Sequence, residues 1–196
     1  MTTPEQVEWQ ESSEVHGPAF EEPGKPAPRL VIFGAVPLAA ALCRAARAID
    51  WTPYVVDPRE RFASADLFAD AELVVAAWPQ EAFAELGGID ADTSVACLTH
   101  APELDDEALT IALRSPASYV GALGSRRTQA RRRERLAAGG LGDAELARLS
   151  GPAGLDLGGV TAAEAALAIL AEAVAARYGR EGGRLTSSPN QIHASA

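Results

Sequence analysis

Five short apolar runs, each followed by a segment with helical spacing, constrain the fold of this chain more than any other feature. The runs cover Leu30–Gly34, Pro53–Asp57, Glu72–Ala76, Thr93–Leu98 and Ala117–Gly121. Most of them are rich in β-branched or aromatic residues, which is typical of strands buried on both faces of a parallel sheet. The helical patterns cover Pro37–Ile49, Gln80–Leu86, Glu103–Leu113, Arg126–Ala138 and Ala162–Tyr178. This alternation predicts an α/β fold with a doubly wound, mostly parallel, Rossmann-like sheet.

The chain has 196 residues, of which 47% are hydrophobic, and this is enough for one domain with its own core. We expect that domain to cover residues 29–179. Residues 1–28 are rich in Pro, Glu and Gly without an apolar period, which predicts a disordered lead-in, and residues 180–196 predict a flexible tail. The last helix has the clearest boundaries, because Thr161 and Glu164 form a capping-box pattern and Gly179 stands at its end.

Charge and composition exclude several classes of function. The formal net charge of −10 argues against non-specific binding of nucleic acid, which requires a basic surface. No apolar run approaches the roughly 20 residues that cross a bilayer, and the first residues do not resemble a secretory signal. Cys43 and Cys97 lack a neighbouring cysteine or a histidine at zinc-ligand spacing, which predicts two buried, reduced thiols. We therefore expect a cytoplasmic protein without a membrane span.

The loop after the first predicted strand is an altered dinucleotide-binding turn. Such a turn needs one glycine for the bend, a second for the approach of the pyrophosphate and a third small residue for helix packing. Gly34 and Ala39 fit the first and third positions, but Val36 occupies the second and Pro37 removes a backbone N–H group. The loop therefore favours folding over binding of NAD or NADP, and an NAD(P)-dependent oxidoreductase is the alternative function.

Two polar residues follow the second predicted strand. Asp57 lies where a ribose-binding acid would stand in a dinucleotide site, but it is equally typical of a residue that caps the turn at the strand end. Arg59 beside it is a candidate contact for a phosphate. Both interpretations of Asp57 remain open from the sequence.

The loop after the fifth predicted strand is the stronger candidate for a ligand site. Gly121 and Gly124 lie between a strand and a helix, and Ser125, Arg126 and Arg127 follow. Free N–H groups at a helix start and guanidinium groups are suited to binding an anion. Six of the 17 lysine and arginine residues lie within Arg126–Arg135. A solvated basic helix face that pairs with acidic neighbours is the alternative, which we expect for Arg131, Arg132, Arg133 and Arg135.

His100 follows the fourth predicted strand, at the edge where ligands of open α/β sheets bind. It is a candidate for hydrogen bonding a cofactor, for acid–base chemistry or for holding the next loop. Asp105 and Asp106 either orient it or begin the next helix, where acidic residues suit the helix dipole. The sequence has no Ser-His-Asp signature, no nucleophile elbow and no metal-ligand cluster, so a hydrolase or metalloenzyme is not supported.

Several of these segments together resemble one family. The run SYVGALGSRRT at 118–128 is similar to the hallmark segment of the XdhC/CoxI family, the xanthine dehydrogenase accessory factors. LTHAPELDD at 98–106 resembles the family's LTHDPxLDD element. Further similar pieces are DPR at 57–59, RFA at 61–63 and GPAGLDLG at 151–158.

The resemblance implies a cytoplasmic maturation factor that binds and protects the molybdenum cofactor, or molybdopterin. Such a factor helps to deliver the cofactor to a molybdenum hydroxylase apoenzyme of the xanthine dehydrogenase or carbon monoxide dehydrogenase type. Its partner would be that apoenzyme or another accessory protein, and a homodimer is a further expectation. The chain departs from the family at Val36 and Pro37, where a glycine and a histidine are usual, and at Ala101, where aspartate is usual. We also expect the family's N-terminal domain, with its cofactor-handling cysteine, to be supplied by a partner, unless the task has changed to that of an interaction scaffold.

Overall fold

A computed structural model describes residues 27–188. Its centre is a sheet of six parallel strands in the order β3-β2-β1-β4-β5-β6. The strands are β1 Arg29–Phe33, β2 Thr52–Val56, β3 Leu73–Val75, β4 Thr93–Cys97, β5 Tyr119–Ala122 and β6 Leu149–Ser150. This order reverses between β1 and β4, as in doubly wound nucleotide-binding folds. The predicted fold class is confirmed.

The helices begin where the chain chemistry favours a start. They are α1 Pro37–Arg47, α2 Pro79–Glu85, α3 Pro102–Leu113, α4 Arg126–Ala138, α5 Asp143–Ala147 and α6 Ala162–Arg177. Proline opens α1, α2 and α3, because the first helical turn has no use for its missing N–H group. At α6 the predicted capping box is present, since Thr161 Oγ1 accepts from the Glu164 N–H at 3.2 Å and Glu164 Oε2 accepts from the Thr161 N–H at 2.8 Å.

Helices cover both faces of the sheet and form two cores. On one face, α1 and α6 pack together over Leu30, Ile32 and Val55. On the other face, α2, α3 and α4 cover Val31 and Phe33. The predicted apolar stripe of α6 is buried at Ala166, Ile169, Leu170 and Ala173, while Val174 is partly exposed. Strands buried on both sides explain why the sequence shows continuous apolar runs.

The sequence does not predict strand β6, helix α5 or the 3-10 turns at Ala65–Leu67 and Leu185–Ser187. The strand β6 has only two residues and α5 has five, so neither is long enough to show a period in the sequence. Residues 1–26 of the predicted lead-in and residues 189–196 of the predicted tail lie outside the described residues. Within the described part, a short 3-10 turn covers Leu185–Ser187. No helix of residues 27–188 is long and apolar enough to span a membrane.

Candidate anion-binding site at the carboxyl edge of the sheet

The loops that follow β1, β4 and β5 meet at the carboxyl edge of the sheet, because all strands run in the same direction. Gly34 has a positive φ of 111°, and a Cβ atom there would lie 2.6 Å from Thr99 Cγ2. Only glycine therefore allows the loop after β1 to lie against the loop after β4. This close approach gives Gly34 a structural role beside its predicted one in ligand binding.

The loop after β1 uses its own backbone donors. The N–H of Ala35 donates to Asp57 Oδ2 at 2.9 Å, and the N–H of Val36 donates to the Gly34 carbonyl at 2.9 Å. Pro37 has no N–H group to offer. The donors that would hold a pyrophosphate in a dinucleotide site are therefore engaged or absent at these three positions.

Asp57 is fully buried and serves this loop from the end of β2. Its carboxylate accepts from the N–H groups of Ala35 and Arg59, and from Arg59 Nε and Nη2 at 2.8 and 2.7 Å. Burial opposes the charged form, but the bonds from Arg59 and Ala35 outweigh it, so the pKa of Asp57 is lowered. Of the two roles that the sequence left open, these contacts favour the structural one. The Arg59 guanidinium forms an ion pair with Asp57 and packs on the Phe62 ring.

Gly121 lies inside β5 and is buried. A Cβ atom there would come within 2.2 Å of the Tyr119 hydroxyl oxygen. That hydroxyl donates to Glu172 Oε2 at 2.6 Å, and the same carboxylate oxygen accepts from the N–H of Gly154 at 2.7 Å. Gly121 therefore makes room for a half-buried hydrogen bond between the sheet and α6, which is a packing role.

The loop from Gly124 into α4 differs from the loop after β1, because its first backbone N–H groups are free within the described part of the chain. Gly124 has φ of 132°, and Ser125 caps the helix by accepting from the N–H of Thr128 at 3.2 Å. Within residues 27–188, the N–H groups of Gly124, Ser125, Arg126 and Arg127 have no hydrogen-bond acceptor. Consecutive free N–H groups at a helix start form a setting that favours an anion.

The guanidinium groups around this loop differ in their availability. Arg126, Arg127 and Arg131 are exposed, and none of them has an ion pair with another described residue. Arg135 binds Asp106 through Nε and Nη2 at 2.6 and 2.9 Å. Arg133 instead donates to the backbone carbonyls of Leu146 and Leu149 (2.6 and 2.7 Å).

The prediction of a solvated, paired face is thus right for Arg135 but wrong for Arg132. The Arg132 side chain is 2% exposed, because it turns inward under the loop and pairs with the buried Asp105. The prediction also fails for Arg131, which is solvated but has no acidic partner in the described part of the chain.

An open cleft of about 520 Å³ lies between the loop after β4 and helix α4. It is lined by His100, Pro102, Asp105, Arg127, Thr128, Arg131, Arg132 and Arg135. His100 is exposed, and no hydrogen bond from another described residue holds it. The cleft thus brings together His100 and Arg127 of the predicted site. The other predicted site residues do not line it: Gly34, Asp57, Arg59, Gly121, Gly124, Ser125 and Arg126.

A buried polar network forms the floor of the cleft. Thr99 Oγ1 donates to Asp105 Oδ1, and Arg132 Nη2 donates to Asp105 Oδ2 at 2.8 Å. Burial raises the pKa of Asp105, and the bonds from Thr99 and Arg132 oppose that effect. Asp105 and Asp106 therefore pair with Arg132 and Arg135 of α4, and neither carboxylate has a hydrogen bond with His100. The sequence offers a weak signal for this network, since Gln129 and Arg132 lie three residues apart on the face of α4 that also buries Leu136.

Neither cysteine faces the cleft. Cys43 lies in α1 and Cys97 ends β4, and both are buried and free. Burial raises the pKa of Cys43 to about 12, and it raises that of Cys97 as well. Among the described residues, no group of His, Cys, Asp and Glu side chains is arranged to hold a metal ion. The site offers cationic and N–H donors instead, which is chemistry for a phosphate or another anion.

Comparison with known proteins gives consistent matches. The family model described as the XdhC Rossmann domain matches residues 30–173. The chain is 28% identical over 153 residues to a protein of Bacillus subtilis named as a probable xanthine dehydrogenase subunit, covering 78% of this chain and 44% of the relative. It is 29% identical over 156 residues to the uncharacterized protein YqeB of Escherichia coli, covering 80% of this chain and 28% of that protein.

A solved structure shows the same fold. The crystal structure of a xanthine dehydrogenase from Bacillus halodurans superposes with a TM-score of 0.66 and 29% identity, over 84% of this chain and 46% of that chain. In each of these comparisons the chain spans less than half the length of its relative. The matches therefore describe one part of longer proteins.

Proposed function

The chain belongs to the XdhC Rossmann domain family, and on that premise we propose that it is an accessory protein in the maturation of a molybdenum hydroxylase. The proposal includes binding of molybdopterin, or of its nucleotide form, at the carboxyl edge of the sheet. A xanthine dehydrogenase-type apoenzyme or a second accessory protein is the proposed partner, and the proposed location is the cytoplasm. The similarity to proteins named as a xanthine dehydrogenase or part of one supports this direction.

One observation carries the ligand assignment. The N–H groups from Gly124 to Arg127 have no acceptor among the described residues, and Arg127 and Arg131, whose guanidinium groups are unpaired, line the cleft. In a chain with a formal net charge of −10, three exposed arginines without acidic partners are an unusual local concentration of positive charge. Such donors bind a phosphate group, which molybdopterin carries.

The residues present fit the phosphate end of such a ligand better than its metal end. Arg127, Arg131 and the α4 N-terminus would hold the phosphate, and His100 could donate to or accept from the part of the ligand that extends across the cleft. Molybdopterin, when bound, supplies the dithiolene that holds molybdenum. This part of the chain adds no thiolate, because Cys43 and Cys97 are buried.

The test compares ligand binding by the unchanged chain and by the double variant Arg127→Ala/Arg131→Ala. We expect calorimetry to show binding of molybdopterin and of inorganic pyrophosphate by the former, and at least about a hundredfold weaker binding by the latter. The unfolding temperature should stay the same, because both side chains are exposed and neither has a hydrogen bond or ion pair with another described residue.

Arg133→Gln is the matched control on the same helix, since it removes hydrogen bonds to carbonyls away from the cleft. Equal affinity in the double variant and the unchanged chain would contradict the proposed site. Failure of the unchanged chain to bind either probe would favour the interaction-scaffold alternative.

A further inference from the structure

We propose that Arg132 is a positioning residue of the anion site, which holds the peptide between Leu123 and Gly124 so that the Gly124 N–H faces the ligand. This inference rests on the proposed function, because it concerns the same site. It adds a residue that binds no ligand itself and that acts through the backbone.

The contacts of Arg132 lead from the protein interior to this peptide. Nη1 donates to the Leu123 carbonyl at 3.1 Å and to Gln129 Oε1 at 2.7 Å, while Nη2 donates to Asp105. The side chain is 2% exposed and lines the cleft, and its Nε has no partner among the described residues. A guanidinium in this position is fixed on two sides by its other partners, so it can fix the Leu123 carbonyl in turn.

The geometry of a peptide unit links this carbonyl to the ligand side. The Leu123–Gly124 bond is trans, and in a trans unit the C=O and the following N–H point in opposite directions. When Arg132 draws the Leu123 oxygen toward the interior, the Gly124 N–H must point away from it. A rotated peptide would instead turn the negative end of the carbonyl dipole toward a bound anion.

Gly124 makes that rotation sterically possible. Gly124 has φ of 132°, and glycine is the residue that reaches the alternative backbone conformations without a steric penalty. The preceding peptide is secured separately, because the Ala122 carbonyl accepts from Gln129 Nε2 at 2.8 Å and from the Ala153 N–H at 3.0 Å. The orientation of the Gly124 N–H therefore depends mainly on Arg132.

Thr99 and Asp105 extend the same chain of bonds to the loop after β4. Thr99 donates to Asp105, which pairs with Arg132, and Thr99 immediately precedes His100. The two walls of the cleft are thus connected beneath its floor by buried hydrogen bonds.

The test uses Asp105→Asn/Arg132→Met, which removes both charges together, because Arg132→Met alone would leave an unpaired buried carboxylate and could fail to fold. We expect the double variant to keep its circular dichroism spectrum and to bind inorganic pyrophosphate about tenfold more weakly than the unchanged chain. In ¹⁵N-resolved NMR, the Gly124 amide should shift on titration of the unchanged chain but not of the double variant.

Arg133→Met is the control on the same helix, since Arg133 donates to the Leu146 and Leu149 carbonyls, does not line the cleft and leaves Arg132 to hold the Leu123 carbonyl. Its affinity should stay within about threefold of the unchanged chain. A folded double variant with unchanged affinity and an unchanged Gly124 shift would overturn the role of Arg132 and leave the proposed function intact. Absence of pyrophosphate binding by the unchanged chain would overturn both.

Discussion

The two strand-to-helix loops after β1 and β5 have a similar backbone but differ in whether their N–H groups have acceptors within the protein. Both begin with a positive-φ glycine, Gly34 and Gly124, and both lead into a helix at the carboxyl edge of the sheet. After Gly34, the N–H groups of Ala35 and Val36 already have acceptors within the protein. From Gly124 to Arg127, four successive N–H groups have no acceptor in the described part of the chain.

The contrast shows that a glycine turn becomes a ligand site only if its donors remain available. In the first loop, the buried carboxylate of Asp57 accepts the N–H of Ala35. This side chain occupies the position that a bound anion would take. The second loop has Arg127 and Arg131 beside it and no carboxylate on its free N–H groups. The first loop accordingly has a structural role, because it connects β1, the end of β2 and the loop after β4. We propose that the second loop is the ligand site.

The largest effect should come from removing the carboxylate of the first loop. Asp57→Ala leaves the half-buried N–H of Ala35 without an acceptor and takes the partner from Arg59. We expect the free energy of unfolding in urea to fall by about 3 kcal/mol, with pyrophosphate affinity unchanged in the folded protein. The exposed Asp66→Ala should change the free energy of unfolding by less than about 0.5 kcal/mol. Lost pyrophosphate affinity in folded Asp57→Ala would mean that the loops do not have separate roles.

A second substitution should give the loop after β5 a carboxylate of its own, as Asp57 gives to the loop after β1. Ser125→Asp retains the cap on α4, because aspartate is as good an N-cap residue as serine, but it places a carboxylate beside the free N–H groups. We expect stability to stay within about 0.5 kcal/mol and pyrophosphate binding to be lost in calorimetry.

Ser125→Ala is the matched control for that substitution. It should lower stability by about 1 kcal/mol through loss of the cap on the Thr128 N–H, while anion affinity persists. If Ser125→Ala abolished binding without loss of stability, the hydroxyl would be a ligand donor instead of a cap.

The smallest effect on ligand binding should come from restoring a glycine to the loop after β1. Val36→Gly restores the glycine that a dinucleotide turn needs, yet the Ala35 N–H remains bound to Asp57 and Pro37 still offers no donor. We expect no binding of NADH by fluorescence titration and a loss of about 0.5–1 kcal/mol in stability from the added backbone freedom. Tight NADH binding by this variant, or by the unchanged chain, would show that the pattern of donors is a poor guide to the site.

Much of this fold is predictable from the sequence, because strands buried on both faces read as apolar runs and α6 carries its capping box in Thr161 and Glu164. Strand β6 and helix α5 are not predictable in this way. Their two and five residues are stabilised by contacts with β5 and α4 that no local pattern records.

The candidate site is predictable only in its outline. The glycines and arginines after β5 are visible as a pattern, but the pattern does not distinguish Arg131, which is solvent-exposed, from Arg132, which is buried. Their different surroundings depend on the packing of α4 against α3 and on the position of Asp105. For the same reason, only the folded chain reveals that Asp57 occupies the donors of the first loop.

The most direct test of the contrast between the loops is a ¹⁵N-resolved NMR titration of the unchanged chain with inorganic pyrophosphate, which follows the backbone amides of both loops in one experiment. We expect the amides of Gly124, Ser125, Arg126 and Arg127 to shift in a saturable manner, while those of Gly34, Ala35 and Val36 remain in place. Saturable shifts at Gly34 to Val36, with none at Gly124 to Arg127, would contradict the assignment of the ligand site to the loop after β5.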